Sequence, residues 1–368
     1  MQEDTDPDLV AFASRDAPEI QIAINALWAV HTLPELAEVP EVGSACHTIA
    51  LWAEANGMME TAVQFAELAA RLELDSSVRS FTAGRLCRRK GEHQRAAIWY
   101  RRAARLGRLA GNLIDLANAQ LGLGNLEFDL GHHGVAETHY LRAARAALRN
   151  GRRSLAAAAF HNLVAVTYEL GRKSESLQHL KRAADYYRVD HPRFPGLVYD
   201  AGFFLMREGH FSSALPLFEQ ILPHVEGQRM SVYVRSALAR SAAAVRDHIR
   251  FQRQASAVLG MVAVAGEGSA NALYQLAEGA RSFADWERAH ALATRALDLA
   301  LKRRDEATAR VASALLQKIA SRTPGDVDRV PLEGDAVEAV TERLLQKLRK
   351  LPAPQVSRVV PPEWYPTE

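Results

Sequence analysis

The chain has 368 residues, of which 48% are hydrophobic and 24% charged, with a formal net charge of +2. That much apolar material can bury a continuous core and argues against a disordered chain. No run of about eighteen apolar residues occurs, which excludes a membrane-spanning helix.

The N-terminal stretch is acidic (Glu3, Asp4, Asp6, Asp8), the opposite of a basic signal peptide start. Residues 1–42 are expected to form a helical cap. Their amphipathic stretch runs through Ile20, Ile22, Ile24, Leu27 and Trp28, and Pro34 and Pro40 close it. Cys46 and Cys87 each fall on the first helix of a helical pair, facing inward by register. This predicts reduced, buried thiols in a cytoplasmic protein.

From residue 43 to 321 one pattern recurs. A glycine is followed after five residues by a small residue, after four more by an aromatic, and after three more by an alanine. The clearest copies are Gly91, Ala96, Tyr100, Ala103 and Gly131, Ala136, Tyr140, Ala143. Seven residues before each lies a second glycine, Gly84 and Gly124, placed where two helices of a hairpin cross. The turn glycine recurs at Gly57, Gly91, Gly131, Gly171 and Gly209, in steps of 34, 40, 40 and 38 residues. A later copy has Leu273, Leu276, Ala277, Ala289, Ala293 and Ala296, with Ala284 in place of the turn glycine. Between it and the fifth copy, residues 230–262 predict two helices, too worn to align. Residues 305–321 predict one more.

After this, residues 322–334 carry Pro324, Gly325, Pro331 and Gly334 and predict a linker. Residues 335–350 predict an amphipathic helix with Val337, Val340, Leu344, Leu345 and Leu348 on one side. The tail 351–368 carries five prolines and is expected to be extended or disordered; its alternative is that the end around Trp364 occupies a groove of this chain or a neighbouring copy.

The repeated pattern resembles the tetratricopeptide repeat, a helix–turn–helix unit that stacks into a superhelix. The longer steps resemble the kinesin-light-chain-like variety. The fold class implied is all-α, a solenoid of antiparallel helical hairpins. The resemblance also implies that the first helix of each hairpin lines a concave groove. Carried over by register, the groove positions include Arg85, Arg88 and Arg89 in the second copy, and Asn118, Asn125 and Phe128 in the third. They continue with Asn162 and Tyr168 in the fourth, and Tyr199 and Phe203 in the fifth. The seventh gives Asn271, Tyr274, Gln275, Glu278 and Arg281. Asparagines suit a peptide backbone, arginines a carboxylate, and aromatics an apolar side chain. Asn125 and Asn162 fall where chaperone-tail-binding repeats place asparagine. Leu121, Gly196 and Asp200 stand where those repeats place basic residues, so the full carboxylate clamp is absent.

Between Arg79 and Arg108 lie ten basic residues and one acid, a local net of +9. Such a block fits an acidic peptide, a phosphorylated partner or nucleic acid, and equally a solvated surface of arginine stems over alanine. Few aromatics accompany it and no helix-turn-helix reader flanks it, which disfavours nucleic acid. No phosphate loop, nucleophile elbow or zinc-peptidase helix appears, and the thirteen histidines show no ligand spacing. The sequence therefore predicts a protein- or peptide-binding scaffold, not an enzyme, with no cofactor and no metal. Its alternative is a ligand-responsive regulator whose superhelix changes shape when a peptide binds, and a third reading is a cryptic enzyme or nucleic-acid binder.

Overall fold

The computed structural model describes residues 18–32, 38–262, 266, 268–327 and 334–351. Among these residues there are seventeen α-helices and no strand. In chain order α1 is Pro18–Thr32, α2 Val39–Ala55, α3 Met59–Leu72, α4 Ser77–Lys90, α5 His93–Leu109 and α6 Leu113–Asp129. Next come α7 His133–Arg149, α8 Arg153–Glu169, α9 Lys173–Tyr186, α10 Phe194–Arg207, α11 Phe211–Ile221 and α12 Gly227–Ala244. The last are α13 His248–Met261, α14 Ser269–Ser282, α15 Trp286–Lys302, α16 Glu306–Ala320 and α17 Gly334–Leu348. The chain divides into two compact units at His179/Leu180, within α9.

The turns within hairpins follow one design. Gly57, Gly91, Gly131, Gly171 and Gly209 all have φ between +75° and +86°, the left-handed region that favours glycine. At Gly131 the backbone N–H donates to Phe128, and the next N–H, of His132, donates back to Glu127. This pair closes the last turn of α6 and satisfies carbonyls that would otherwise be orphaned. The same two bonds recur at Ala284 (φ +57°), which does stand where a turn glycine is missing, and at Arg246 (φ +66°). In the middle of unit 1, helices of 17 residues alternate with turns of three, which accounts for the 40-residue step.

The crossing glycines are explained by what faces them. A Cβ on Gly84 would lie 2.8 Å from the Tyr100 ring, on Gly124 2.5 Å from Tyr140, and on Gly202 2.7 Å from Phe218. Each ring is buried and fills the space its glycine leaves. Ala62, Ala66, Ala69, Leu180 and the six apolar residues of the later copy are buried as well. Both cysteines are fully buried and free.

In unit 1, successive first helices (α4, α6, α8) pack on one another, and successive second helices touch less. In unit 2 the same holds for α10, α12, α14 and α16. Each stack is therefore packed more closely along its first helices than along its second.

Three features differ from expectation. Pro40 does not end the N-terminal section but sits in the first turn of α2, where its missing N–H costs nothing. In α1 only part of the apolar set packs inward: Ile20 is buried and Ile24 and Leu27 lie against α2, but Ile22 and Trp28 are exposed. Residue 22 is two positions from both 20 and 24, so a helix turns it to the opposite face. And residues 322–327 are docked on unit 2. The N-terminal residues before Pro18, Pro34, residues 328–333, and the tail from Pro352, including Trp364, lie outside the described residues.

Candidate functional site

The first helices of unit 1 carry eight of the predicted groove positions. Arg85 is buried and makes a two-pronged ion pair with Glu54 of α2, 2.6 Å at its Nη2. Arg89 reaches the same carboxylate, and Arg88 pairs with Asp129 of α6 at 2.6 Å. The three arginines are thus already partnered by carboxylates of the neighbouring hairpins. Three more residues of the basic block behave similarly. Lys90 pairs with Glu60, Arg79 with Glu73, and Arg95 with Glu67. About half of the excess of +9 is thus offset, by acids that come from α2, α3 and α6, and from Glu73 after α3.

Glu67 shows how such a group is held. Its carboxylate is buried and accepts from Arg95 Nε at 3.0 Å and from the Trp99 indole at 2.8 Å. Burial alone would raise its carboxyl, but these donors outweigh that and hold it below the usual range. Cys87 lies against the same carboxylate, and burial, with that charge, pushes its thiol up to about 12. It stays protonated and is no nucleophile.

Asn125 and Asn162 are brought together. Asn162 Nδ2 donates to Asn125 Oδ1 at 2.9 Å, and the Tyr140 hydroxyl donates to the same oxygen at 2.7 Å. The two amides sit half-buried on adjacent first helices, α6 and α8. The Asn125 amide N–H groups and the Asn162 carbonyl oxygen make no further side-chain hydrogen bond among the described residues. Phe128 lies 5.3 Å from the His133 ring, and Asn118 and Tyr168 are half-buried.

Tyr199 and Phe203 are on unit 2. Their rings stack at 6.0 Å, and Tyr233 of α12 approaches Tyr199 at 6.2 Å. Burial, with Asp200 beside it, moves the Tyr199 phenol above its ordinary range.

Unit 2 also holds an ionic cluster that sequence reasoning found only in part. Arg281, Glu278, Gln275 and Tyr274 lie at predicted inner positions of α14. Arg281 Nε donates to Glu278 at 2.8 Å, and the Tyr274 hydroxyl donates to Glu278 at 3.1 Å. Arg240 of α12 donates to Gln275 at 2.8 Å and to Asp326 through Nε at 3.1 Å and Nη2 at 2.5 Å. Burial would raise the Asp326 carboxyl, but Arg240 and Arg281 hold it below the usual range. Arg240 escaped notice because its repeat is too worn to align, and Asp326 because its segment carries the composition of a linker. Gly325 was the available signal, since it lies against the backbone of Arg281 and Ser282 where a Cβ would not fit.

Among the described residues no group of three or more His, Cys, Asp or Glu is placed to hold a metal ion. None of their helices is long and apolar enough to cross a membrane.

No protein-family model matches the sequence, and no curated protein does. Solved structures do resemble it. The Rap conjugation gene regulator of the plasmid pLS20, in complex with the Phr* peptide, is 13% identical, with a TM-score of 0.51 over 92% of this chain and 90% of that one. A Rap protein complexed with competence and sporulation factor is 14% identical over 95% and 88%, with a TM-score of 0.41. BtubC (BKLC) from P. vanneervenii is 15% identical over 72% and 94%, also at 0.41. With the repeat geometry above, the fold is an all-α, tetratricopeptide-like repeat solenoid.

Proposed function

We propose that the protein is a non-catalytic scaffold that binds a protein or extended peptide along its first-helix face. The observation that carries this reading is the Asn125–Asn162 pair, two amides one repeat apart with complementary donors and acceptors left to a ligand backbone. Around it, Asn118, Phe128 and Tyr168 offer polar and apolar contacts, and Tyr199 and Phe203 do so on unit 2. Arg85, Arg88 and Arg89 act in this reading by fixing the helices through Glu54 and Asp129, and not as free anion hooks. The likeness to a gene regulator solved in complex with a peptide supports the same reading.

The test is capture of the partner by full-length protein, compared with Asn162→Ala. Loss of one buried amide contact weakens binding by about 1–3 kcal/mol, or roughly 5- to 150-fold. Asn162→Ala is the cleaner variant, because Asn125 also holds the Tyr140 hydroxyl and its removal costs stability. Normal binding by Asn162→Ala together with loss in Arg101→Glu/Arg105→Glu, on the exposed face of α5, places the partner on the outer surface and overturns the reading. The alternative of a peptide-responsive regulator rests on the same likeness, since that relative is a gene regulator. It predicts a change in small-angle scattering when the partner is added.

A further inference from the structure

After α16 the chain turns at Arg322 (φ +50°), and its next residues run back over the C-terminal ends of α14 and α12. Three contacts fix this strap. Gly325 lies flat on the backbone of Arg281 and Ser282, too close for any side chain. Arg281 donates to the carbonyls of Thr323, at 3.2 Å, and Pro324. Arg240 holds one Asp326 oxygen with two donors, and Arg281 Nη2 stands 3.6 Å from the other. One arginine thus reads main-chain carbonyls and another a carboxylate, which is how an extended acidic peptide is recognised.

The charge balance shows that something acidic belongs there. The Arg281 and Glu278 side chains are 4% and 3% exposed, and that of Arg240 is 15% exposed. Without Asp326, two nearly buried guanidiniums would face one carboxylate, an uncompensated charge that a fold holds only at a cost. A cavity of about 320 Å³ continues beside the strap, with Arg207 and Lys318 in its wall. The strap itself is a light occupant: Thr323, Pro324 and Val327 are exposed. Further along the chain, α17 packs on α11, with Lys347 donating to the Tyr187 carbonyl at 2.7 Å.

We infer that Arg240 and Arg281 form a receptor for an extended peptide bearing an Asp or Glu side chain, that Thr323–Asp326 occupies it as an internal ligand, and that an acidic peptide from outside binds by displacing this strap. The inference rests on the reading of the first-helix face as peptide-binding, and names the ligand chemistry for unit 2. Because the strap is tethered, it competes at high local concentration, and the closed chain binds an external peptide only in proportion to its open fraction.

The probe is a fluorescent heptapeptide of residues 321–327 (SRTPGDV), capped at both ends and added to the full-length chain. Asp326→Asn in the chain keeps the strap's shape but weakens its grip, and Gly325→Val expels it by steric clash. Either change should tighten binding of the probe by about tenfold or more. A probe with Asn for its aspartate, or Arg240→Ala added to the opened chain, should abolish the gain. Tryptic cleavage at Arg322 should accelerate in both opened chains, a readout independent of the probe. Equal binding by wild-type and opened chains, or equal binding of the Asp and Asn probes, overturns the inference. Because the probe and variants lie on unit 2, that failure is separable from an Asn162→Ala result on unit 1.

Discussion

At Gly84 and Gly124 a single hydrogen atom decides whether a hairpin closes. Tyr100 and Tyr140 fill the space against them and are 1% and 2% exposed, so neither ring can retreat toward solvent. Gly84→Leu or Gly124→Leu should therefore overpack the crossing and cost about 1–3 kcal/mol, seen as a lower melting temperature with helical content retained. An unchanged melting temperature would mean that the crossing relaxes freely. These glycines were legible in the sequence because they recur seven residues before a turn. The pairing of Asn125 with Asn162 was legible only as two positions. Their mutual hydrogen bond, and the Tyr140 hydroxyl that shares it, depend on how adjacent hairpins are rotated, which one repeat's pattern does not contain. The ion pairs of Arg85, Arg88 and Arg89 were hidden for a related reason: Glu54 and Asp129 lie 31 and 41 residues away from Arg85 and Arg88.

The element-level economy lies in the turns. Five intrahelical-pair turns use glycine at positive φ, and the α14–α15 turn makes the same two hydrogen bonds with Ala284 at φ +57°. A left-handed conformation costs a residue with a Cβ roughly 1–2 kcal/mol, partly offset by the smaller entropy that alanine loses on folding. Ala284→Gly should thus raise stability by up to about 1 kcal/mol, measured as a shift in the urea midpoint with unchanged slope. A loss of stability would show that the turn is not under strain. Helix starts are capped in kind: Asn112 accepts from the N–H groups of Ile114 and Asp115, and Asp285 and Asp305 each accept from the third N–H onward. The recurring turn glycines, with the small and aromatic residues spaced after them, made most of these helices readable in advance; the caps agree with that reading. The docking of residues 322–327 was not, because proline and glycine mark a break in a helix without saying where the broken chain goes.

For the molecule as a whole, acid is an informative perturbation. His47 of α2 is half-buried, and its Nδ1 is buried without a hydrogen-bond partner. Burial, then the charges of Arg79 and Arg85, lower its pKa to about 4. The fold thus favours neutral imidazole, whereas the unfolded chain protonates near pH 6.5. The unfolded state binds more protons between these values, so stability falls as pH drops through that window. The shift corresponds to about 3 kcal/mol in total, full above pH 6.5 and lost by about pH 4. Asp326 and Glu67 act in the same sense at lower pH, because carboxyls held below their ordinary range lose their contribution only on further acidification. Melting curves of wild type and His47→Phe across pH 4–7 check this. The variant should show a flatter dependence in that window, and parallel curves would refute the assignment.

The alternation of 17-residue helices with three-residue turns through the middle of unit 1 has a consequence for how such a chain can change length. Each helical residue advances 1.5 Å and rotates 100°. Deleting one residue within α7 would leave the flanking turns intact yet swing one end of that helix by more than a quarter circle. Tyr140 would then leave the pocket under Gly124, or Ala147 would leave its buried position. Removing a whole 40-residue module restores every angle. Substitutions in this region are graded by what they touch, but changes of length are all-or-nothing, and a viable length variant should differ by complete hairpins.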